Sequence, residues 1–268
     1  MRDDFTFKNR YTFDDLVAIV RILREPGGCP WDREQTHASI REDFLEETYE
    51  AIEAIDTANP VLMEEELGDV LLQVVMHADM ARTDGQFTID DVANGICHKL
   101  IERHPHVFGE VKVSDSGEVL KNWDEIKRKS KSQPTQTDAI NAIPKTFPAL
   151  MKAQKVQGKA AKAGFDWREP DGAFDKIAEE SAELKKALAE NGNVEDELGD
   201  LLFSCVNVAR FCHVKAETAL EKATAKFSRR FAVTERLAAE RGIELKTAPI
   251  AVLDELWDEA KKQTETVN

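Results

Sequence analysis

The 268 residues of this chain are 42% hydrophobic and 32% charged, with a formal net charge of −15. That is too apolar for a disordered chain and long enough for two ordinary domains. So acidic a balance argues against direct nucleic-acid binding, which normally needs a basic face, although bound divalent ions would still let the chain accept a phosphate compound.

Helical periodicity dominates in chain order. Residues 12–24 carry Phe13, Leu16, Val17, Val20 and Leu23 on one face, with Thr12 placed to cap them. A turn is expected over 25–30. Helices follow over 39–56 and 61–82, separated by the stop signal Thr57-Ala58-Asn59-Pro60. Beyond Asp84-Gly85 a further helix is predicted over 89–103. Residues 127–137 are polar without apolar period, and 131–144 is taken as the linker between an N-terminal domain, 1–130, and a C-terminal domain, 145–268. Lys152, Lys155, Lys159 and Lys162 then step along one helix face that is either solvated or turned toward phosphate. Helices over 175–188, 194–211 and 216–241 complete the chain. Only 109–113 and 242–246 are candidate strands, so the fold class is all-α, built as two tandem helical bundles.

Cys29, Cys97, Cys205 and Cys212 show no paired spacing, so reduced thiols are expected and zinc is disfavoured. No apolar run approaches the roughly 20 residues of a membrane span. Nothing at the N-terminus reads as a signal peptide, and a cytoplasmic location is expected.

One acidic pattern occurs twice: Glu46, Glu47 and Glu50 followed by Glu66 and Asp69, then Glu179, Glu180 and Glu183 followed by Glu197 and Asp200. Positions three and four apart share a helix face, so two such helices folded back on each other gather four carboxylates. Unpaired anions repel, and the arrangement makes chemical sense if cations fill it. Oxygen donors alone favour Mg2+, with Mn2+ as the substitute. A lone Glu-x-x-Glu is ordinarily solvated surface, but these acids sit beside apolar residues. Gly68 and Gly199 lie inside the same helices, where each costs roughly 1 kcal/mol relative to alanine, which predicts close helix approach or ligand contact. A di-iron carboxylate bundle needs Glu-x-x-His pairs, which the acidic clusters lack.

The repeat extends further. Trp31 answers Trp167, Lys99 and Arg103 answer Lys226 and Arg230, and Trp123-Asp124-Glu125 answers Trp257-Asp258-Glu259. Lys226, Arg229 and Arg230 suit polyphosphate oxygens. Trp257 suits either a stacked base or the core. Neither a Walker A loop nor a Gly-rich dinucleotide fingerprint is present. The halves are unequal: residues 1–134 hold 16 basic and 28 acidic residues, residues 135–268 hold 20 and 23, and Glu102 stands where the second half has Arg229.

The doubled E-E-x-x-E … E-x-x-D pattern resembles the MazG family of nucleoside triphosphate pyrophosphohydrolases, in its tandem-domain bacterial form. The resemblance implies the all-α NTP pyrophosphatase fold, a homodimer, Mg2+ that activates water, and cleavage of nucleoside triphosphates to a monophosphate and pyrophosphate. It implies metal ligation by Glu180, Glu183, Glu197 and Asp200, with Glu179 supporting a second ion or orienting water. Lys176, Lys226, Arg229, Arg230 and Trp257 would hold triphosphate and base. The first-half counterparts are Glu46, Glu47, Glu50, Glu66 and Asp69, with Lys99, Arg103 and Trp123. The exchange of Arg229 for Glu102 points to the C-terminal domain as the main catalytic one. A non-catalytic nucleotide or metal sensor is the alternative. Base and sugar preference stay open.

Overall fold

The computed structural model describes residues 5–130 and 135–265, and among them it contains helices and no strand. The chain divides into two compact units, Met1–Lys127 and Arg128–Asn268.

Unit 1 begins with α1 (Phe13–Arg24), whose N-terminus is closed by a reciprocal capping box between Thr12 and Asp15. A short α2 (Pro30–Glu34) follows, with Pro30 at its first position. The centre of the unit is a helical hairpin, α3 (Arg41–Asp56) and α4 (Pro60–Thr83). Its tight turn puts Ala58 at φ 51°, and the Asn59 side chain caps α4 by accepting from the Val61 and Leu62 amides. The antiparallel course of the pair follows from this three-residue connection. Then come α5 (Ile89–Arg103), capped by Thr88 and Asp91, α6 (Pro105–Phe108) and α7 (Ser116–Ser130). Val20, Ile40, Val75, Met76 and Met80 form the core, flanked by Leu16, Val17, Leu72 and Ile89. Beside it lies a buried ion pair, Arg24 Nε to Asp79 Oδ2 at 3.2 Å, with side chains only 9% and 7% exposed. Arg82 reaches the other oxygen of Asp79 at 2.9 Å.

Unit 2 comprises α8 (Gln136–Asn141), α9 (Ala149–Lys162), α10 (Asp171–Glu190), α11 (Val194–Phe211), α12 (Ala216–Glu240) and α13 (Ile250–Glu265). The α10–α11 hairpin repeats α3–α4; left-handed Asn191 (φ 53°) ends α10 and the Asn193 side chain caps α11. Leu237, Ala238 and Leu256 form a core with Val233, Ile243, Leu245 and Val252. Two glutamines of α9 act as braces: Gln157 donates to the Phe203 carbonyl at 2.7 Å, and Gln154 donates to the Val214 carbonyl and accepts from the Ala216 amide. Arg210 of α11 grips Asp166 with two bonds of 2.5 and 2.9 Å.

Several local expectations change. Residues 30–34, partly read as a turn, are helical. Part of the expected linker is the helix α8, closed by a Thr135–Asp138 capping box and packed through buried Ala139; residues 131–134 lie outside the described residues. The candidate strand 109–113 is irregular, and 242–246 is a turn in which Ile243 and Leu245 serve the core as loop residues. Close helix approach at Gly68 and Gly199 is not found: a Cβ at either would meet nothing within 4 Å. No described helix is long and apolar enough to cross a membrane.

Candidate active site

In unit 1 the two hairpin helices bring Glu47 of α3 together with Glu66 and Asp69 of α4, one carboxylate oxygen of each lying within 4.8 Å of the others. Glu66 is 9% exposed, and burial raises its carboxyl pKa first, followed by the charges of Glu50, Glu65, Asp69 and Glu47. Glu47 is raised in the same way, by burial and then by Asp69, Glu50, Glu46 and Asp43. Glu46 and Glu50 are exposed and act on the cluster through charge.

Unit 2 repeats the arrangement with two overlapping groups, Glu180–Glu197–Asp200 and Glu179–Glu180–Glu183, joined through Glu180 at 6% exposure. Glu197 is raised by burial and then by Glu183, Glu180, Asp200 and Asp196. No cation figures among the causes at Glu47, Glu66 or Glu197, whose carboxyls are pushed up by burial and by one another. Clustered carboxylates from two rigid helices are the donor set that suits a hard divalent ion.

The hairpins differ at one position that the sequence reading passed over. Lys176 lies one turn before Glu180 and donates to Glu180 at 2.6 Å and to Glu179 at 3.0 Å, bonds that raise its own pKa. Aligning the two E-E-x-x-E motifs puts Asp43 in its place, where it adds a further negative charge beside Glu47. The spacing alone was enough to reveal this. Lys176, expected to hold triphosphate, is here the internal counter-ion of the acids.

The remaining basic and aromatic residues form separate patches. In unit 1, Arg103 and Lys127 flank the Trp123 ring at 5.2 and 4.7 Å, the Arg103 Nε is buried without a hydrogen-bond partner, and Lys99 is exposed. In unit 2, Trp257 is half-buried against Phe227 with ring centroids 5.1 Å apart, Arg230 pairs with Glu265 at 2.9 Å, and Lys226 and Arg229 are exposed. Among the described residues no hydrogen bond, ion pair or ring contact joins Lys99, Arg103, Lys226, Arg229, Arg230 or the two tryptophans to the clustered acids of their own unit. Lys155 of the lysine stripe lies 5.5 Å from the Phe147 ring.

One Glu-x-x-His spacing does occur in the chain, Glu34 to His37, outside the acidic clusters. A di-iron bundle needs two such pairs among its acids, so that alternative still fails.

Comparison with known proteins finds the model of the MazG nucleotide pyrophosphohydrolase domain twice, over residues 35–108 and 169–232. These segments contain both hairpins and every clustered acid. A nucleoside triphosphate pyrophosphohydrolase/pyrophosphatase of Thermotoga maritima is 48% identical over 95% of this chain and 97% of its own length. A nucleoside triphosphate pyrophosphohydrolase of Escherichia coli K12 is 44% identical over 93% and 97%. One from Mycolicibacterium smegmatis is 41% identical over 56% of this chain and 46% of its own length.

Proposed function

The chain belongs to the MazG nucleotide pyrophosphohydrolase family, and on that premise we propose that it hydrolyses nucleoside triphosphates to a nucleoside monophosphate and pyrophosphate with Mg2+ as cofactor. The observation that carries this reading is the convergence of Glu180, Glu197 and Asp200 from two helices, repeated as Glu47, Glu66 and Asp69. Glu180, Glu183, Glu197 and Asp200 would hold the metal, Glu179 would complete the acidic wall, and Mn2+ would be an acceptable replacement. When bound, the metal neutralises phosphate charge and lowers the pKa of a water. The protein's own work is positional. The hairpin fixes the acids on two helices before substrate arrives.

Lys176 has a double task in this reading. Its ammonium offsets the charge of Glu179 and Glu180, and with a metal held by those acids it would be available to a phosphate oxygen. Lys226, Arg229, Arg230 and Trp257 supply further cations and a ring surface for the same ligand. We place the main activity in unit 2, supported by Lys176 against Asp43 and Arg229 against Glu102.

A homodimer is part of the proposal. Leu67 and Leu71 of α4 are 50% and 39% exposed, and their repeat counterparts Leu198 and Leu202 of α11 are 45% and 49% exposed. Apolar rows left bare at the same positions of both hairpins suit burial against a second copy.

Incubation with a nucleoside triphosphate and Mg2+, followed by detection of pyrophosphate and monophosphate, tests the activity; absence of pyrophosphate overturns it. Glu183→Ala is expected to lower turnover about 100-fold or more, on the scale of losing a metal-supporting group, and Glu50→Ala much less. Equal losses would sink the asymmetry between the units.

A further inference from the structure

The lysines of α9, Lys152, Lys155, Lys159 and Lys162, follow one another at spacings of three, four and three, and between Asp138 and Asp166 the chain has five lysines and no acid. The buried face of α9 is the other one: Gln157 reaches the Phe203 carbonyl and Gln154 the Val214 carbonyl. A residue two places from Gln157 is turned about 200° from it, so the lysines point away from α11 and its acids. Lys155 and Lys162 are exposed, and Lys152 and Lys159 partly so. Like charges three and four apart destabilise a helix, and the described residues supply Lys152, Lys155 and Lys159 with no ion pair.

The stripe belongs to unit 2 alone. Helix α1 precedes Trp31 as α9 precedes Trp167, and aligning their buried residues Val20 and Gln157 places Asp15, Ala18, Ile22 and Glu25 at the lysine positions. The opposite stripe belongs to unit 1. Basic residues recur at three, four and three at one place in the sequence, α9, and acids at one place, Asp43, Glu46, Glu50 and Glu53 of α3. Of these acids Asp43 is partly buried and the others exposed, and none has an ion pair among the described residues. Each stripe rises about 15 Å. The spacing reads the same in both directions, so the two match whether the helices run parallel or antiparallel.

Unit 1 also lacks a cation that unit 2 has. Lys176 offsets Glu179 and Glu180 from within its own helix, whereas Asp43 stands at that position in α3 and acts on Glu47 together with Glu46 and Glu50.

We propose that α9 of one copy docks on α3 of a second copy, the lysine stripe against Asp43, Glu46, Glu50 and Glu53, so that the partner copy supplies beside the acids of unit 1 the counter-charge that Lys176 supplies within unit 2. The contact is separate from the leucine rows of α4 and α11 and does not depend on hydrolysis. A long polyanion such as nucleic acid suits the stripe less, because the remainder of a chain of net charge −15 repels it.

The test mixes heavy-nitrogen-labelled and unlabelled full chains at low salt and treats them with a zero-length carbodiimide, which joins an amine to a carboxylate in direct contact. Cross-links from Lys155 or Lys159 to Glu46 or Glu50 are expected to carry both labels in mass spectrometry. The double variant Lys152→Glu, Lys162→Glu and the double variant Asp43→Lys, Glu53→Lys are each expected to lose these cross-links at least about tenfold, and a mixture of the two variants to regain them, since reversed lysines then meet reversed acids across copies. Cross-links of one label only place the contact within a single chain and overturn the proposal, as does their absence from the unaltered protein. Binding of a fluorescent single-stranded oligonucleotide that is lost in the lysine variant assigns the stripe to nucleic acid and overturns it too.

Discussion

At the scale of single residues, two contrasts decide most. A buried ion is tolerated only with its partner, and Asp79 is held between Arg24 and Arg82 in almost complete burial. Asp79→Ala leaves the Arg24 guanidinium uncompensated, and a loss of about 3–5 kcal/mol is expected, read from the urea midpoint. The opposite holds at Gly199, an exposed mid-helix glycine with open space where its Cβ would be. Gly199→Ala is expected to add about 1 kcal/mol of stability. Where that open space serves ligand contact, the same variant is also expected to slow hydrolysis. A stabilised variant with unchanged turnover would show that the space serves neither substrate nor partner.

At the scale of elements, what could be read from the sequence was what is long and periodic. The helices 89–103 and 194–211 were legible to the residue because an apolar stripe, a cap and a stop signal agree at each end. The six residues of α8 and the five of α2 are too short to show a period, and α8 sits in a polar stretch that composition assigns to a linker. Carboxylate spacing alone placed the acids on shared faces, and the hairpins deliver them there. It could not show that Trp123 and Trp257 gather their own cations or rings away from the acids, since that depends on how α5, α7, α12 and α13 pack. Caps carry measurable weight here. Thr88→Ala opens the box that starts α5 and is expected to cost about 1 kcal/mol, visible as earlier amide exchange in the first turn of that helix. Exchange unchanged there would show that the cap is redundant with packing against Ile89.

At the scale of the whole molecule, the net charge of −15 is concentrated where it hurts most. Glu47, Glu66 and Glu197 all have carboxyl pKa values raised in the folded state, by burial before charge. The folded chain thus binds protons more strongly than the unfolded one just above the ordinary carboxylate range, so these groups favour folding as pH falls into that window and oppose it as pH rises out of it. Glu197→Gln is accordingly expected to stabilise the metal-free protein at pH 8, with the gain fading toward pH 5; a constant gain across that range would refute the electrostatic account. Mg2+ is expected to raise the melting temperature at pH 8 and to do so less in the variant. In solution the chain is expected at twice its 30.1 kDa mass, and Leu202→Glu to shift it toward the monomer in sedimentation.

The ion pairs that lock each hairpin carry a consequence for how a duplicated chain avoids confusing its own halves. Asp79 and Arg210 occupy the same place in the repeat, yet the first seeks Arg24 and the second seeks Asp166. Tandem copies are prone to assemble with an element borrowed from the wrong copy. Here α11 lodged in unit 1 would set guanidinium against guanidinium beside the core, and α4 lodged in unit 2 would set carboxylate against carboxylate. The two locks have opposite polarity, so an exchange of α4 and α11 between the halves is expected to be disfavoured.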